Sequence, residues 1–239
     1  MLRMISCAAD THVGHVREHN EDAHAVHPGA GCLIVADGMG GHAAGEVASR
    51  VAVATVEAAL LRADPESPID ALVEANDAVG MAAADGRGMP GMGCTVVACQ
   101  LVDGLVVVAW VGDSRAYLLR DGGLVQLTHD HSYVQTLVDA GVISAPEAET
   151  HPERNILTRS VGTAPLTLDA VGHVCVPGQP GDRVLLCTDG LTGMLGDLWI
   201  ESLLADHASD RAAVDALIEA ALKTGGIDNV TVALATLGE

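Results

Sequence analysis

Short apolar runs alternate with glycine-, proline- and acid-rich breaks along most of the chain, a spacing that reads as strands joined by tight turns. Strands are expected at Ile5 to Asp10, Ala23 to Val26 and Cys32 to Ala36. A second block follows at Thr95 to Val102, Leu105 to Val111, Arg115 to Arg120 and Leu124 to Leu127, the last two joined across Asp121-Gly122-Gly123, a hairpin signal. Strands return at Leu168 to Val176, Arg183 to Cys187 and Thr231 to Thr236. The period lengthens to that of a helix at Ala43 to Leu61, Asp70 to Ala84, Leu198 to His207 and Arg211 to Lys223. Tyr133 to Ala140 and Pro146 to Thr150 read as short helices. Hairpins grouped at both ends, with paired helices between and after them, predict an α+β fold of antiparallel sheets covered by helices.

The loops at Ala63 to Pro68, Asp85 to Gly93 and Pro177 to Gly181 are punctuation within a domain rather than linkers. With 239 residues, 49% of them hydrophobic, residues 1–239 are expected to form one domain with a substantial core. The longest apolar run, near Leu105 to Val111, is too short to span a bilayer, and Met1 to Ala9 is too short for a signal peptide. Six cysteines lie singly in apolar runs, and Cys94 and Cys99 are expected on opposite faces of a strand. That pattern reads as buried thiols in a reducing cytoplasm. The net charge of −20 disfavours nucleic acid and membrane surfaces as partners, and the near absence of aromatic residues removes base stacking. No exposed apolar stripe asks for a second copy, so a monomer is expected.

Candidate chemistry begins where apolar strands deliver carboxylates into turns. Cys32 to Ala36 leads into Asp37-Gly38, Val106 to Val111 into Gly112-Asp113-Ser114-Arg115, and Val184 to Thr188 into Asp189-Gly190. Oxygen ligands of this kind suit hard divalent cations such as Mg²⁺ and Mn²⁺. If Asp22, Asp37, Asp113, Asp189 and Asp228 share a site, two divalent ions offset four of the five charges, and a nearby Arg tips the pocket toward phosphate. Taken singly, each acid also fits a turn former or helix cap, Asp113 most of all. Gly38-x-Gly40-x-x-Ala43 with Glu57 matches a dinucleotide fingerprint. Against that oxidoreductase reading, Asp37 would face the pyrophosphate, and no repeated βαβ rhythm is present. The crowd of His12, His15, His19, His24 and His27 lacks zinc-site spacing and reads as solvated positions.

Seven motifs in order carry a resemblance to the bacterial metal-dependent protein serine/threonine phosphatases, the PP2C or PPM family. They are Arg17-x-x-Asn20-Glu21-Asp22, Val35-Ala36-Asp37-Gly38-Met39-Gly40-Gly41-His42, Gly93-Cys94-Thr95 and Val111-Gly112-Asp113-Ser114-Arg115. Leu157-Thr158-Arg159-Ser160-Val161-Gly162, Cys187-Thr188-Asp189-Gly190-Leu191 and Gly226-Ile227-Asp228-Asn229-Val230-Thr231 complete them. The resemblance implies a four-layer α-β-β-α sandwich with the metals in a cleft at one edge.

The resemblance also implies roles. Asp37 would bridge two Mn²⁺ or Mg²⁺ ions, with the Gly38 carbonyl on the second. Asp189 and Asp228 would complete the first ion's shell, Asp22 and Glu21 would hold outer-shell waters, and Asp113 with Asp189 would form a third, weaker site. Arg17 would bind the phosphoryl group, Asn229 would orient Asp228 or a metal-bound water, and Thr95 would support the metal loop. A metal-bridging hydroxide would attack phosphorus in line, without a phosphoenzyme. His42 is open between proton donor and structural role, because eukaryotic relatives carry a histidine where this chain has Met39. Cys94 replaces a usual threonine, Ile227 replaces a common arginine, and Arg115 and Arg159 are expected to pair with buried acids. Residues 129–154 correspond to a flap that tunes substrate choice. The implied function is hydrolysis of phosphoserine and phosphothreonine proteins, opposing a cognate Ser/Thr kinase and acting on its substrates. A catalytically idle phosphoprotein binder is the alternative.

Overall fold

The computed structural model describes residues 2–40, 44–63 and 67–239. Its first sheet joins β1 (Arg3–His12), β11 (Val230–Gly238), β10 (Arg183–Cys187), β7 (Arg115–Arg120) and β8 (Gly123–Gln126), in that spatial order. The second runs β2 (Asp22–His27), β3 (Cys32–Met39), β5 (Val96–Val102), β6 (Leu105–Val111) and β9 (Gly172–Pro177), with the two-residue β4 (Gly93–Cys94) paired to the end of β3. Every strand pair among the described residues is antiparallel. Among the described residues no parallel βαβ unit is present to build a dinucleotide site, and Gly38 lies inside β3 rather than in a phosphate turn.

Helices α1 (Ala44–Leu60) and α2 (Pro68–Ala84) cover the outer face of the second sheet. On the far side, α6 (Asp197–Asp206) and α7 (Asp210–Lys223) cover the first sheet. Successive residues of β3 enter different layers: Ile34 packs with the helix residues Ala48 and Val56, while Leu33 and Val35 pack between the sheets with Leu186 and Ala233. Burial on both faces is why this strand reads as an unbroken apolar run. Cys94 and Cys99 fall in separate layers, but from two strands, β4 and β5, rather than from opposite faces of one. No helix among the described residues is long and apolar enough to cross a membrane.

Turn chemistry fixes the register. Asp121 and Gly122 take φ of 52° and 81°, a two-residue turn that pairs Arg120 with Gly123. Asp103 and Gly104 turn β5 into β6 in the same way. Helix α2 starts ahead of the expected Asp70 because Ser67 caps it, its side chain accepting from Asp70 N at 3.2 Å, with Pro68 in the first turn.

Three elements differ from expectation. Leu168–Ala170 is a 3-10 turn, and the strand begins only at Gly172. A local side-chain bond between Thr167 and Asp169 competes with extension there. A short helix, α5 (Asp189–Thr192), follows β10. Strand β3 continues past Ala36 to Met39 because β4 extends its ladder. Short helices α3 (Tyr133–Asp139) and α4 (Ala145–Glu149) lie within residues 129–154.

Candidate active site

Asp37 sits where β3 changes partners. Val35 pairs with Val97 of β5, whereas Gly38 pairs with Cys94 of β4, and Thr95 occupies the gap between those two strands. Thr95 clasps Asp37 from both sides. Its N–H donates to the Asp37 carbonyl at 2.8 Å, and its hydroxyl accepts from Asp37 N at 3.1 Å. The same hydroxyl hydrogen-bonds Ser114 Oγ at 2.6 Å, linking the strand to the β6–β7 turn that carries Asp113. Across β2, Asp22 stands directly opposite Asp37. Gly38 is needed for close approach, since a Cβ there would lie 2.1 Å from the Gly45 carbonyl oxygen and 2.6 Å from that of Glu21.

The other sheet supplies Asp189 and Asp228. Asp189 opens α5, and Asp228 lies in the turn before β11. The Asn229 N–H donates to Asp228 Oδ1 at 2.8 Å, and Arg17 Nη2 donates to Asp228 Oδ2 at 2.7 Å. Asn229 uses its side chain differently: Oδ1 accepts from Glu21 N, and Nδ2 donates to the carbonyls of Val13 and His19. It therefore staples to the strand end the loop that carries Arg17. A Cβ on Gly190 would lie 1.8 Å from the Asn229 carbonyl oxygen, so α5 and the Asp228 turn meet backbone to backbone. Gly190→Ala forces that contact apart at a cost of about 1–3 kcal/mol. A lower melting temperature together with weakened metal binding is expected, read by thermal denaturation with and without Mn²⁺.

These elements enclose a cleft of about 560 Å³ lined by Arg17, Asp37, Gly38, Asp113, Asp189 and Asp228. Glu21, Thr95 and Asn229 also face it. Asp22 does not. It sits behind the cleft, where its Oδ2 accepts from the hydroxyls of Thr231 at 2.6 Å and Thr188 at 3.0 Å. His42 lies outside the described residues.

Burial, followed by Asp22, Asp189 and Asp113, holds the Asp37 carboxyl well above its ordinary range. Burial lifts Asp189 as well, with Asp228 adding to the effect. Asp113 is pushed up to about 8 by burial and then Asp189, and Asp22 to about 7 by burial. Acids gathered from distant strands and shut away from water want positive charge among them. In the cleft, Asp189 Oδ1 is buried with no hydrogen-bond partner, as an oxygen arranged for a ligand other than protein would be; Asp22 Oδ1 is likewise unpartnered behind it. The donor set is all hard oxygen, the chemistry of Mn²⁺ and Mg²⁺. Among the described residues, no three His, Cys, Asp or Glu side chains already stand together as a ligand group. Arg17 and the Asn229 N–H engage the two oxygens of Asp228. The Cys94 thiol beside Asp37 is held protonated by burial, so it offers no soft ligand or nucleophile.

A family model described as protein phosphatase 2C matches residues 11–234. The chain belongs to the protein phosphatase 2C family. It is 41% identical over 243 residues to serine/threonine protein phosphatase PstP of Mycobacterium tuberculosis, covering 95% of this chain and 44% of that protein. The chain thus spans less than half of that relative's length. It is 40% identical over 232 residues to serine/threonine phosphatase stp of Listeria monocytogenes, covering 92% of this chain and 91% of the relative. The crystal structure of the PstP catalytic domain in complex with two manganese ions superposes with a TM-score of 0.89 at 35% identity, covering both chains in full.

In this protein phosphatase 2C chain, two arginines of the motifs take different partners. Arg115 meets the expected buried acid, holding Asp130 through Nε at 3.0 Å and Nη2 at 2.7 Å. Arg159 does not. Its Nη1 donates to the Ala170 carbonyl at 3.1 Å and lies 3.4 Å from His131 Nε2, because the nearby 3-10 turn presents a carbonyl rather than a carboxylate. Glu18 lines the cleft without having been assigned a role in the sequence, as does His19, expected at a solvated position; so do Asn155, Leu157 and Ser160. The last three belong to a strap bridged to Ser132 at Leu157 and to Cys94 at Val161. The fifth motif signalled this segment without giving it a task.

Proposed function

We propose that this chain is a divalent-metal-dependent phosphatase of phosphoserine and phosphothreonine proteins, with residues 1–239 acting as one catalytic unit. The observation that carries the reading is the convergence of Asp37, Asp113, Asp189 and Asp228 on one cleft beside Arg17, with a buried, unpartnered carboxylate oxygen on Asp189. When bound, Mn²⁺ or Mg²⁺ would activate water and neutralise phosphoryl charge. Asp37, Asp189 and Asp228 would hold two such ions, with the Gly38 carbonyl among the donors. Asp113 would hold a third, and Glu21 and Asp22 would support them from behind. Ionised around bound metal, these carboxylates would supply the negative charge that holds the ions.

Arg17 has the second task. Its guanidinium reaches into the cleft from a loop fixed by Asn229, and it is more than half exposed, so it can exchange Asp228 for a phosphoryl group. The planar fork suits two phosphoryl oxygens at once. Residues 129–154, joined through His131 to the turn that carries Asp113, would act as a flap that selects among phosphoproteins. A cognate Ser/Thr kinase and its targets are the partners this chemistry calls for. The acidic composition suits neither nucleic acid nor anionic lipid, and unpaired thiols agree with a cytoplasmic setting, although burial holds only for Cys32, Cys94, Cys99 and Cys187, Cys7 being half-buried and Cys175 exposed. We read the acting species as a monomer.

The test is hydrolysis of a phosphothreonine peptide with Mn²⁺ and with chelator. Turnover is expected only with the metal. Arg17→Lys is expected to raise KM for the peptide by about tenfold or more while metal binding persists, from loss of the bidentate contact. Metal-independent turnover, or unchanged kinetics in Arg17→Lys, would remove the reading.

A further inference from the structure

His131 is where three parts of the cleft wall meet. Its backbone N–H donates to the Gly112 carbonyl at 2.9 Å, and its carbonyl accepts from Thr158 N at 2.8 Å. Its ring Nδ1 accepts from Gly112 N at 3.2 Å, and the ring stacks on Trp110 with centroids 6.3 Å apart. Gly112 immediately precedes Asp113. Thr158 lies between Leu157 and Ser160, both on the cleft wall. On either side of His131 the flap is rooted: Asp130 is held by Arg115, and Ser132 caps α3. One side chain therefore ties the Asp113 turn to the strap and to the flap root.

The protonation state agrees with this geometry. Accepting at Nδ1 requires a neutral ring whose proton sits on Nε2. Burial, then Arg159 and His129, lowers the ring to about 4, so it stays neutral around pH 7. Arg159 Nη1 then faces a like donor at Nε2, and its own hydrogen bond goes to the Ala170 carbonyl. Trp110 completes the seat by donating from Nε1 to the His129 carbonyl at 2.8 Å.

The Asp113 turn has little freedom of its own. Gly112 takes φ of 106°, and a Cβ there would lie 2.6 Å from the Thr95 side chain. The Gly112 amide is thus fixed by Thr95 behind it and by the His131 ring in front. Removing the acceptor leaves the buried Gly112 donor unpaired, at a cost that falls on the turn carrying Asp113.

We infer that His131 is a positioning residue that couples the placement of the flap to that of Asp113, through its hydrogen bond from Gly112. The inference rests on the proposed function insofar as Asp113 is read there as the carboxylate of the weakest ion. It follows that a substrate displacing the flap shifts Asp113, and that an ion on Asp113 steadies the flap.

Two variants separate the hydrogen bond from the packing. His131→Phe keeps a ring on Trp110 without an acceptor; His131→Asn restores an acceptor at the Nδ1 position without the stacked ring. Mn²⁺ binding is followed by electron paramagnetic resonance, with Asp113→Asn marking the weakest site, and flap order is followed by trypsin cleavage after Arg154. In His131→Phe the weakest Mn²⁺ site is expected to lose about tenfold in affinity. Cleavage at Arg154 should rise, the tighter ions binding as in the parent chain. His131→Asn should restore both. Parent-like behaviour in His131→Phe overturns the inference, as does loss of both properties in both variants, or loss in His131→Asn alone, each of which assigns the ring to packing. A parent chain with no Mn²⁺ site weakened by Asp113→Asn also overturns it. Neither readout requires turnover, so a chain that shows this pattern yet hydrolyses no phosphopeptide removes the proposed function and leaves the coupling standing.

Discussion

Asp37→Asn is expected to lower kcat on a phosphothreonine peptide by about 10³-fold or more, since the metal's contribution of several kcal/mol is lost at about 1.36 kcal/mol per decade. The same change should raise the melting temperature of the chelated protein. Asp37 is buried opposite Asp22 and beside Asp189, and its charge is opposed by both. An amide of equal shape removes that repulsion while Thr95 still holds the backbone on both sides. Stabilisation by Mn²⁺ should disappear with it. In the parent chain, free Mn²⁺ at about one hundred times its dissociation constant adds roughly 2.7 kcal/mol. Thermal melts of both proteins, with chelator and with Mn²⁺, read all of these effects. An active variant, or one destabilised in chelator, would place the metal centre elsewhere.

The second large effect is an inversion of the pH dependence of stability by metal. In the unfolded chain the carboxyls titrate near 3.8, whereas in the folded chain Asp22 rises to about 7 and Asp113 to about 8, with Asp37 and Asp189 raised as well. Between roughly pH 4 and 8 the folded state therefore binds more protons than the unfolded state. Stability of the chelated protein falls as pH rises through that window, by several kcal/mol in total. Below the window both states are protonated and the difference vanishes. Ions bind only the ionised carboxylates, so with Mn²⁺ present stability should rise over the same interval. Melts at pH 5 and pH 8, each with chelator and with Mn²⁺, give the four values needed. The same slope in both series would mean that the acids do not hold the ions.

Much of this architecture was legible as pattern. The apolar runs gave the strand positions because a strand buried on both faces needs an unbroken apolar stretch, such as Cys32 to Ala36 in β3 and Val184 to Cys187 in β10. Asp103-Gly104 and Asp121-Gly122 mark their hairpins through backbone angles that few other residue pairs tolerate. Less legible was the extension of β3 to Met39. It depends on β4, a two-residue strand too short to have a periodicity of its own. The 3-10 turn at Leu168–Ala170 was hidden as well, since an apolar residue beside a local Thr167–Asp169 bond resembles the start of a strand.

Among the site residues, ordered motifs named the acids and Arg17, and the fold brings Asp37, Asp113, Asp189, Asp228 and Arg17 to one cleft. Motifs did not separate Asp22, which lies behind the cleft between two threonine hydroxyls. Nor did they distinguish Arg115, paired with Asp130, from Arg159, paired with a carbonyl. A motif records residue type and order, while a partner's identity depends on which segment folds against it.

By itself the sequence determined an α+β plan of antiparallel sheets covered by helices and the hard-oxygen character of the site, from local periodicity and residue types, and its ordered motifs carried the family resemblance that implies the two-sheet sandwich. Only the tertiary structure decided that Asn229 staples the Arg17 loop, that Thr95 and Ser114 join Asp37 to the turn of Asp113, and that the His131 ring accepts from Gly112 of the same turn. The reason is distance along the chain. Asn229 and Glu21 are separated by 208 positions, and hydrogen bonds of that span leave no periodic trace in the residues between.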